Sequence, residues 1–287
     1  MADAPLSSEI YPIWPGKQPG GPPLPDGQRK GTARPTLAVY RPQRPDGRAA
    51  LVLPGGGYAF VSLTGEGANI GRALGAFGIT SFVLDYRLPV DGWGDRADVP
   101  LQDAQRAMRL IRFNAGRFGI DPAKLGVIGF SAGGHLAASI VTAYDDAVYA
   151  PVGAADKLSA RPAFGGLFYP VTTFRIVPPR SQSRRNLLGP NFTAAQIDRY
   201  SAIDRVTLRT PPLFLVHAMD DPIIPYWMST RMLAAARAKA VPSELHLLER
   251  GGHGFGAGLS ADNPGSLWPR LFALWTARHL KSKETQP

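Results

Sequence analysis

The sequence predicts an α/β fold with a mainly parallel central sheet and helices on both faces. Three observations carry that expectation. Short apolar runs alternate with longer stretches in which apolar residues recur at helical spacing. Turn-forming Gly and Pro punctuate the boundaries between the two kinds of segment. The 287 residues suffice for one large domain with a substantial core and are short for two. Strand–helix alternation sets strands side by side in parallel, with the connecting helices covering the sheet.

Residues 1–35 contain Pro12, Pro15, Pro19, Pro22, Pro23 and Pro25, which rule out regular helix and predict an extended arm. Tyr11, Ile13 and Trp14 are expected to pin that arm to the body, a single domain over 36–287. Ala50-Leu51-Val52-Leu53, closed by Pro54, reads as a buried strand. Residues 66–77 read as helix and 79–84 as strand. Pro100 opens a helix over about 100–117, with Leu101, Ala104, Met108, Ile111 and Ala115 on one face. Residues 125–129 form the next strand and run into a helix over 132–143. Strands follow at 164–169 and 213–217, a helix at 226–240, a strand at 244–248 and a closing helix at 267–280. Residues from about 170 to 210 break the rhythm with Pro178-Pro179 and the basic cluster Arg180, Arg184 and Arg185. Such an insertion in an α/β enzyme is expected to form a cap over the active site. No internal repeat is visible.

The chemistry starts at Gly129-Phe130-Ser131-Ala132-Gly133, the G-x-S-x-G pattern of the nucleophile elbow in the α/β-hydrolase fold. The pattern alone is weak in a Gly-rich chain. It gains force from the apolar strand that enters it and the Ala-rich helix that leaves it. A turn this sharp tolerates only small neighbours, and it lifts the serine above the sheet at a helix N-terminus. There the N–H of Ala132 can face a developing oxyanion. Pro54-Gly55-Gly56-Gly57-Tyr58 follows an earlier strand, one strand–helix pair before the elbow. It is expected to supply the remaining oxyanion donors from Gly56 and Gly57; the bland alternative is a flexible turn.

A serine hydroxyl needs a base, and the base needs an acid to orient it. On this fold the chain order runs Ser, then Asp or Glu, then His. His253, in Gly251-Gly252-His253-Gly254-Phe255-Gly256 past the last strand, is the expected base. His135 lies one helical turn after Ser131 and is expected to pack beneath the elbow. His217, His246 and His279 read as structural. The acid should follow the penultimate strand, where Asp220 and Asp221 stand side by side. Only one of them can face the histidine, and the loop by itself leaves the choice open.

Composition removes several function classes. With no cysteine there is no disulfide, thiolate zinc site or cysteine nucleophile. No apolar stretch is long enough to span a membrane as a helix. The net charge of +10, mostly from Arg, invites an acidic polymer as partner. However, the basic residues are scattered and accompany no nucleic-acid motif, so a solvated basic surface without nucleic-acid binding is expected. Met1-Ala2-Asp3-Ala4-Pro5 lacks the basic and apolar regions of a signal peptide. That start fits a cytoplasmic protein or a mature chain carrying an added Met; of these the periplasmic or secreted mature form is the expectation.

Taken together, the segments Pro54-Gly55-Gly56-Gly57-Tyr58, Asp85-Tyr86-Arg87-Leu88, Gly129-Phe130-Ser131-Ala132-Gly133-Gly134-His135 and Gly251-Gly252-His253-Gly254-Phe255 resemble a known group. These are the α/β-hydrolase esterases related to acetylxylan and feruloyl esterases (BD-FAE, often labelled "endo-1,4-beta-xylanase-like"), kin to the hormone-sensitive-lipase and prolyl-oligopeptidase-like hydrolases. The resemblance extends from Ile13-Trp14-Pro15-Gly16 to Asn186-Leu187-Leu188-Gly189 and beyond, nearly the whole chain. It implies the family pattern H-G-x-x-D-x-x-V-P, which, aligned on His217 and Pro225, puts the acid at Asp221. Ala218 departs from the usual Gly. Pro54 stands where lipase relatives carry His, which argues against close kinship with lipases.

The resemblance implies a serine esterase with Ser131, His253 and Asp221 as triad and no metal or organic cofactor. It implies short-acyl esters as substrates, acetyl or feruloyl groups on plant polysaccharide or oligosaccharide. Tyr58 and Trp227 are candidates for a substrate-stacking wall, or else plain packing aromatics. Rival expectations are a general carboxylesterase or lipase-like enzyme, a prolyl-oligopeptidase-like hydrolase, and a non-catalytic binding protein on the same fold.

Overall fold

A computed structural model describes residues 9–176 and 181–280 of the chain. The Met1–Pro5 start, Pro178-Pro179 and Arg180 lie outside the described residues.

The chain opens with β1 (Ile10–Pro12) and β2 (Thr36–Tyr40), an antiparallel pair. Of the two only β1 falls within the expected extended arm, which it ties to the sheet; β2 is a strand the sequence reading did not predict. Proline has no N–H to donate and is tolerated on an edge, and β1 is an edge strand. In β2 alternate residues Leu37 and Val39 face the core. The arm is pinned as expected: Ile13 and Trp14 are buried, and Trp14 Nε1 donates to Asp103 Oδ1 at 2.8 Å. Tyr11 sets its ring edge-on to Phe118 at 5.3 Å.

From β3 (Ala49–Leu53) onward the expected alternation appears. A π-helical turn over Leu63–Ala68 leads into α1 (Asn69–Gly75) and β4 (Thr80–Asp85). The single helix expected over 100–117 is two: α2 (Val99–Phe113) and one turn, α3 (Ala115–Phe118), joined at Asn114, whose backbone leaves the helical region. β5 (Leu125–Phe130) feeds α4 (Ala132–Ala143), and β6 (Gly165–Phe168) feeds the insertion, which carries α5 (Ser183–Leu188) and α6 (Ala194–Arg199). β7 (Leu213–Ala218), α7 (Trp227–Ala238), β8 (Ser243–Leu248) and α8 (Trp268–His279) follow in the described residues.

Among the described residues the sheet has eight strands in the order β1-β2-β4-β3-β5-β6-β7-β8; β3 to β8 are parallel. Because side chains alternate across a strand, the fully buried strands feed two cores. Leu51, Leu53, Val127 and Leu215 face the layer of α2, α4 and α7, while Val52, Ile128, Phe130 and Phe214 face α1 and α8. The crossover β3-α1-β4-α2-β5 corrects one expectation. The Gly-rich loop lies two strand–helix units before the elbow in sequence, yet β3 and β5 are neighbours in the sheet, with Leu53 opposite Gly129. Among the described residues no helix is long and apolar enough to cross a membrane.

Candidate active site

Ser131 sits between β5 and α4 at φ 54° and ψ −118°, a backbone region that side-chain-bearing residues avoid. The flanking glycines make that turn possible. A Cβ on Gly129 would lie 2.1 Å from the Gly133 carbonyl oxygen, and one on Gly133 would lie 2.1 Å from that of Leu53. The helix therefore starts in direct contact with the end of β3, and G-x-S-x-G is a packing requirement here. Ser131 N–H donates to the Phe168 carbonyl at 3.0 Å, which fixes the turn to β6.

Ser131 Oγ lies 2.8 Å from His253 Nε2, and His253 Nδ1 lies 2.7 Å from Asp221 Oδ2. The three residues stand 122 and 32 positions apart and arrive from the ends of β5, β8 and β7. Asp221 Oδ1 accepts from the N–H groups of Ile223 and Ile224 at 2.8 and 2.9 Å. Burial alone would raise the Asp221 pKa, but hydrogen bonding from His217 and His253 and the His253 charge outweigh it. The carboxyl is held well below its ordinary range and stays ionised. His217 is buried, bonded to Ser229 Oγ and the Ile224 carbonyl, and stands 3.4 Å from Asp221 Oδ2.

Asp220 takes a separate position. Its Oδ1 accepts from Gly251 and Gly252 N–H at 2.9 and 2.8 Å, so it caps the loop that carries His253 and does not touch the imidazole. His135 packs beneath the elbow as expected, between Tyr58 Oη (2.7 Å) and the Tyr200 carbonyl (2.8 Å), with Phe174 stacked on its ring. Burial lowers its pKa to about 4, against the smaller opposing pull of the Tyr200 carbonyl.

In the Gly-rich loop, Gly56 and Gly57 have φ 128° and 63°. The N–H groups of Gly56, Gly57 and Ala132 make no hydrogen bond to another loop or turn of the described chain. Gly56, Gly57, Ser131 and His253 border a cavity of about 450 Å³, whose other walls include Phe60, Ile223 and the insertion residues Gln182 and Asn186. Asn186 Nδ2 donates to the Gly57 carbonyl at 2.7 Å, so the insertion also holds the glycine loop.

Two expectations about the wall need correction. Tyr58 is 1% exposed, with its hydroxyl spent on His135, so it belongs to the core behind the loop. Trp227 is half-buried at the start of α7 under the Arg231 guanidinium and does not line the cavity. The exposed aromatic at the mouth is Phe60.

Sequence reasoning passed over Glu66. It is buried on the π-helical turn beside the cavity. Its Oε2 accepts from Gly55 N–H at 2.7 Å and its Oε1 from Tyr169 Oη at 2.9 Å. Tyr169 Oη in turn accepts from Gly256 N–H at 2.9 Å. The one available signal was an acidic residue among small ones, Gly65-Glu66-Gly67-Ala68, at the start of a buried helix.

The BD-FAE family model matches residues 37–235. The acetylxylan esterase of Xylanibacter ruminicola is 34% identical over 226 residues, covering 77% of this chain and 44% of that protein. Endo-1,4-beta-xylanase B of Butyrivibrio fibrisolvens is 36% identical over 205 residues, 71% of this chain and 32% of that protein. The chain thus spans less than half the length of these two curated relatives. Among solved structures, an acetyl ester-xyloside bifunctional hydrolase from Caldicellulosiruptor lactoaceticus superposes with a TM-score of 0.82 at 32% identity, over 95% of this chain and 97% of that one.

Proposed function

The chain belongs to the BD-FAE family, α/β-hydrolase-fold esterases, and from that premise we propose that it is a serine esterase removing short acyl groups, acetyl foremost, from plant polysaccharide or its oligosaccharides. The observation that carries this reading is the continuous relay from Ser131 Oγ through His253 to Asp221, at 2.8 and 2.7 Å.

Ser131 Oγ attacks the ester carbonyl carbon as His253 Nε2 takes its proton. Asp221, ionised, holds His253 Nδ1–H and stabilises the imidazolium that forms. The tetrahedral oxyanion is received by N–H groups of Ala132 and of Gly56 or Gly57. Loss of one such donor typically costs about 100- to 1,000-fold in rate. The imidazolium returns its proton to the leaving alkoxide oxygen. A water, deprotonated by His253, then attacks the acyl-enzyme carbonyl, and His253 returns that proton to Ser131 Oγ as the acyl–Oγ bond breaks and the acid leaves. No step calls for a metal or organic cofactor.

Carbohydrate as the alcohol part is supported by the names of the relatives and by the Gln182 and Asn186 side of the cavity. The apolar side, Phe60 and Ile223, favours a second reading, a general short-chain carboxylesterase. Acetylated and feruloylated xylo-oligosaccharides assayed beside simple aryl acetates and long-chain esters separate the two. A kcat/KM on acetylated oligosaccharide at least matching that on the aryl ester supports the first reading; turnover of aryl esters alone supports the second. In either case Ser131→Ala abolishes turnover, and a Ser131→Ala protein that still turns over refutes both.

A further inference from the structure

We propose that Glu66 and Tyr169 are positioning residues that lock the oxyanion loop and the histidine loop to each other, one buried carboxyl setting both halves of the site. The inference rests on the serine-esterase reading and deepens it.

Two loops must be in register for that chemistry. The candidate donors Gly56 and Gly57 lie on the loop after β3, and the base lies on the loop after the edge strand β8, with β5, β6 and β7 in between. Nothing in sheet pairing connects them. Glu66 makes the connection: Oε2 holds Gly55 N–H, the residue before the candidate donor Gly56, while Oε1 holds Tyr169, whose hydroxyl holds Gly256 N–H, three residues after His253. The Tyr169 ring also meets the His253 imidazole edge-on at 5.1 Å and the Phe255 ring at 4.6 Å.

Tyr169 holds this position under strain. It follows β6 at φ 34°, a conformation uncommon for a residue with a bulky side chain, and it is fully buried. Such a backbone persists where its surroundings over-determine it, and here the hydroxyl uses its hydrogen and one lone pair on the two loops. Glu66 is almost as costly, a carboxyl taken out of water, in no ion pair among the described residues, on which the His253 charge acts through space. Burial raises its pKa, while Tyr169, Gly55 and the His253 charge pull it back toward ionisation. The ionisable groups facing it are Tyr169 from the end of β6, Tyr86 from the end of β4 and His253 from the loop after β8. The π-helical turn is the local device that aims Glu66 inward, as wide turns in helices often do at functional sites.

Two nearly isosteric substitutions test the lock. In Glu66→Gln the amide accepts from Gly55 as before but presents N–H to Tyr169, and the carboxylate beside His253 is gone. In Tyr169→Phe the ring stays and only the bridge between loops is lost. Each is expected to lower kcat on an aryl acetate about 10- to 100-fold per folded molecule, with KM within about threefold, because the donors and the base are displaced from the transition state and not from the ground state. A merely structural Glu66 would change the melting temperature and leave kcat per folded molecule in place. Both variants folded with kcat within about twofold of the parent would overturn the proposal. Should Glu66→Gln not fold, Tyr169→Phe decides by its kcat alone. If Ser131→Ala is inactive while both variants are normal, the lock fails and the esterase reading stands. An active Ser131→Ala removes the esterase reading itself.

Discussion

Ser131 and Asp221 show how much of the site is decided by single residues. The serine is strained into place by Gly129 and Gly133, and the aspartate is kept ionised by hydrogen bonds that outweigh its burial. Asp220 and Asp221 are adjacent and chemically identical, but their oxygens meet different partners. Asp221→Asn puts an amide N–H against His253 Nδ1–H or forces the other tautomer, and kcat should fall by about 10,000-fold, as for a triad acid elsewhere. Asp220→Asn keeps an oxygen for Gly251 and Gly252 N–H and should stay within about threefold. Steady-state kinetics of the two variants on one aryl ester checks the ranking; the reverse order would move the acid to Asp220.

Elements differ in how legibly they were written. Strands β3 and β5 read clearly because each is an unbroken apolar run; motif and chain order named Ser131 and His253, the family resemblance named Asp221, and the structure brings the three into hydrogen-bond contact. β1 and β2 escaped notice: three residues ending in proline, and five whose alternation is masked by half-buried Thr36, Ala38 and Tyr40. Tyr58 looked like a site residue because it follows the glycines, but the positive φ at Gly57 and Tyr58 turns its side chain into the core, onto His135. Glu66 was illegible for a different reason, since its partners lie 11 and 103 residues away and only folding joins them.

The arm makes a prediction at this same scale. Trp14 is buried between the Arg87 and Arg106 guanidiniums, each 5.7 Å from its ring, and donates to Asp103, itself paired with Arg87 in full burial. Trp14→Ala opens a cavity and leaves Asp103 short of a donor, so unfolding free energy should drop by about 3–5 kcal/mol. Trp14, Arg87, Asp103 and Arg106 do not border the cavity, so kcat of the folded fraction should be unchanged. Urea unfolding and kinetics on the same preparation test both halves; an unaltered midpoint would refute the account of the arm.

For the whole molecule, sheet order gathers the working loops. The parallel strands β3, β5, β7 and β8 all deliver their carboxyl ends to one rim, where the α/β architecture places ligands. The molecule also carries a pH signature. His135 is buried neutral, with its pKa lowered from 6.5 to about 4, so the unfolded chain takes up its proton first as pH falls. Its contribution to stability is complete above 6.5 and is lost between there and about 4. Asp85, pushed up to about 6 by burial and by Asp103, acts in the opposite sense, so the difference between proteins is the informative quantity. The melting temperature of the parent should fall more between pH 7 and pH 4.5 than that of His135→Gln, which has no proton to gain; parallel falls would contradict this.

The central claim, that Ser131 is made nucleophilic by His253, is tested most directly by covalent labelling. After brief exposure to a fluorophosphonate, peptide mass spectrometry should find one adduct, on Ser131, in the parent and in Asp220→Asn, and almost none in His253→Ala. An adduct on another residue, or labelling of Ser131 that persists undiminished without the imidazole, would contradict it.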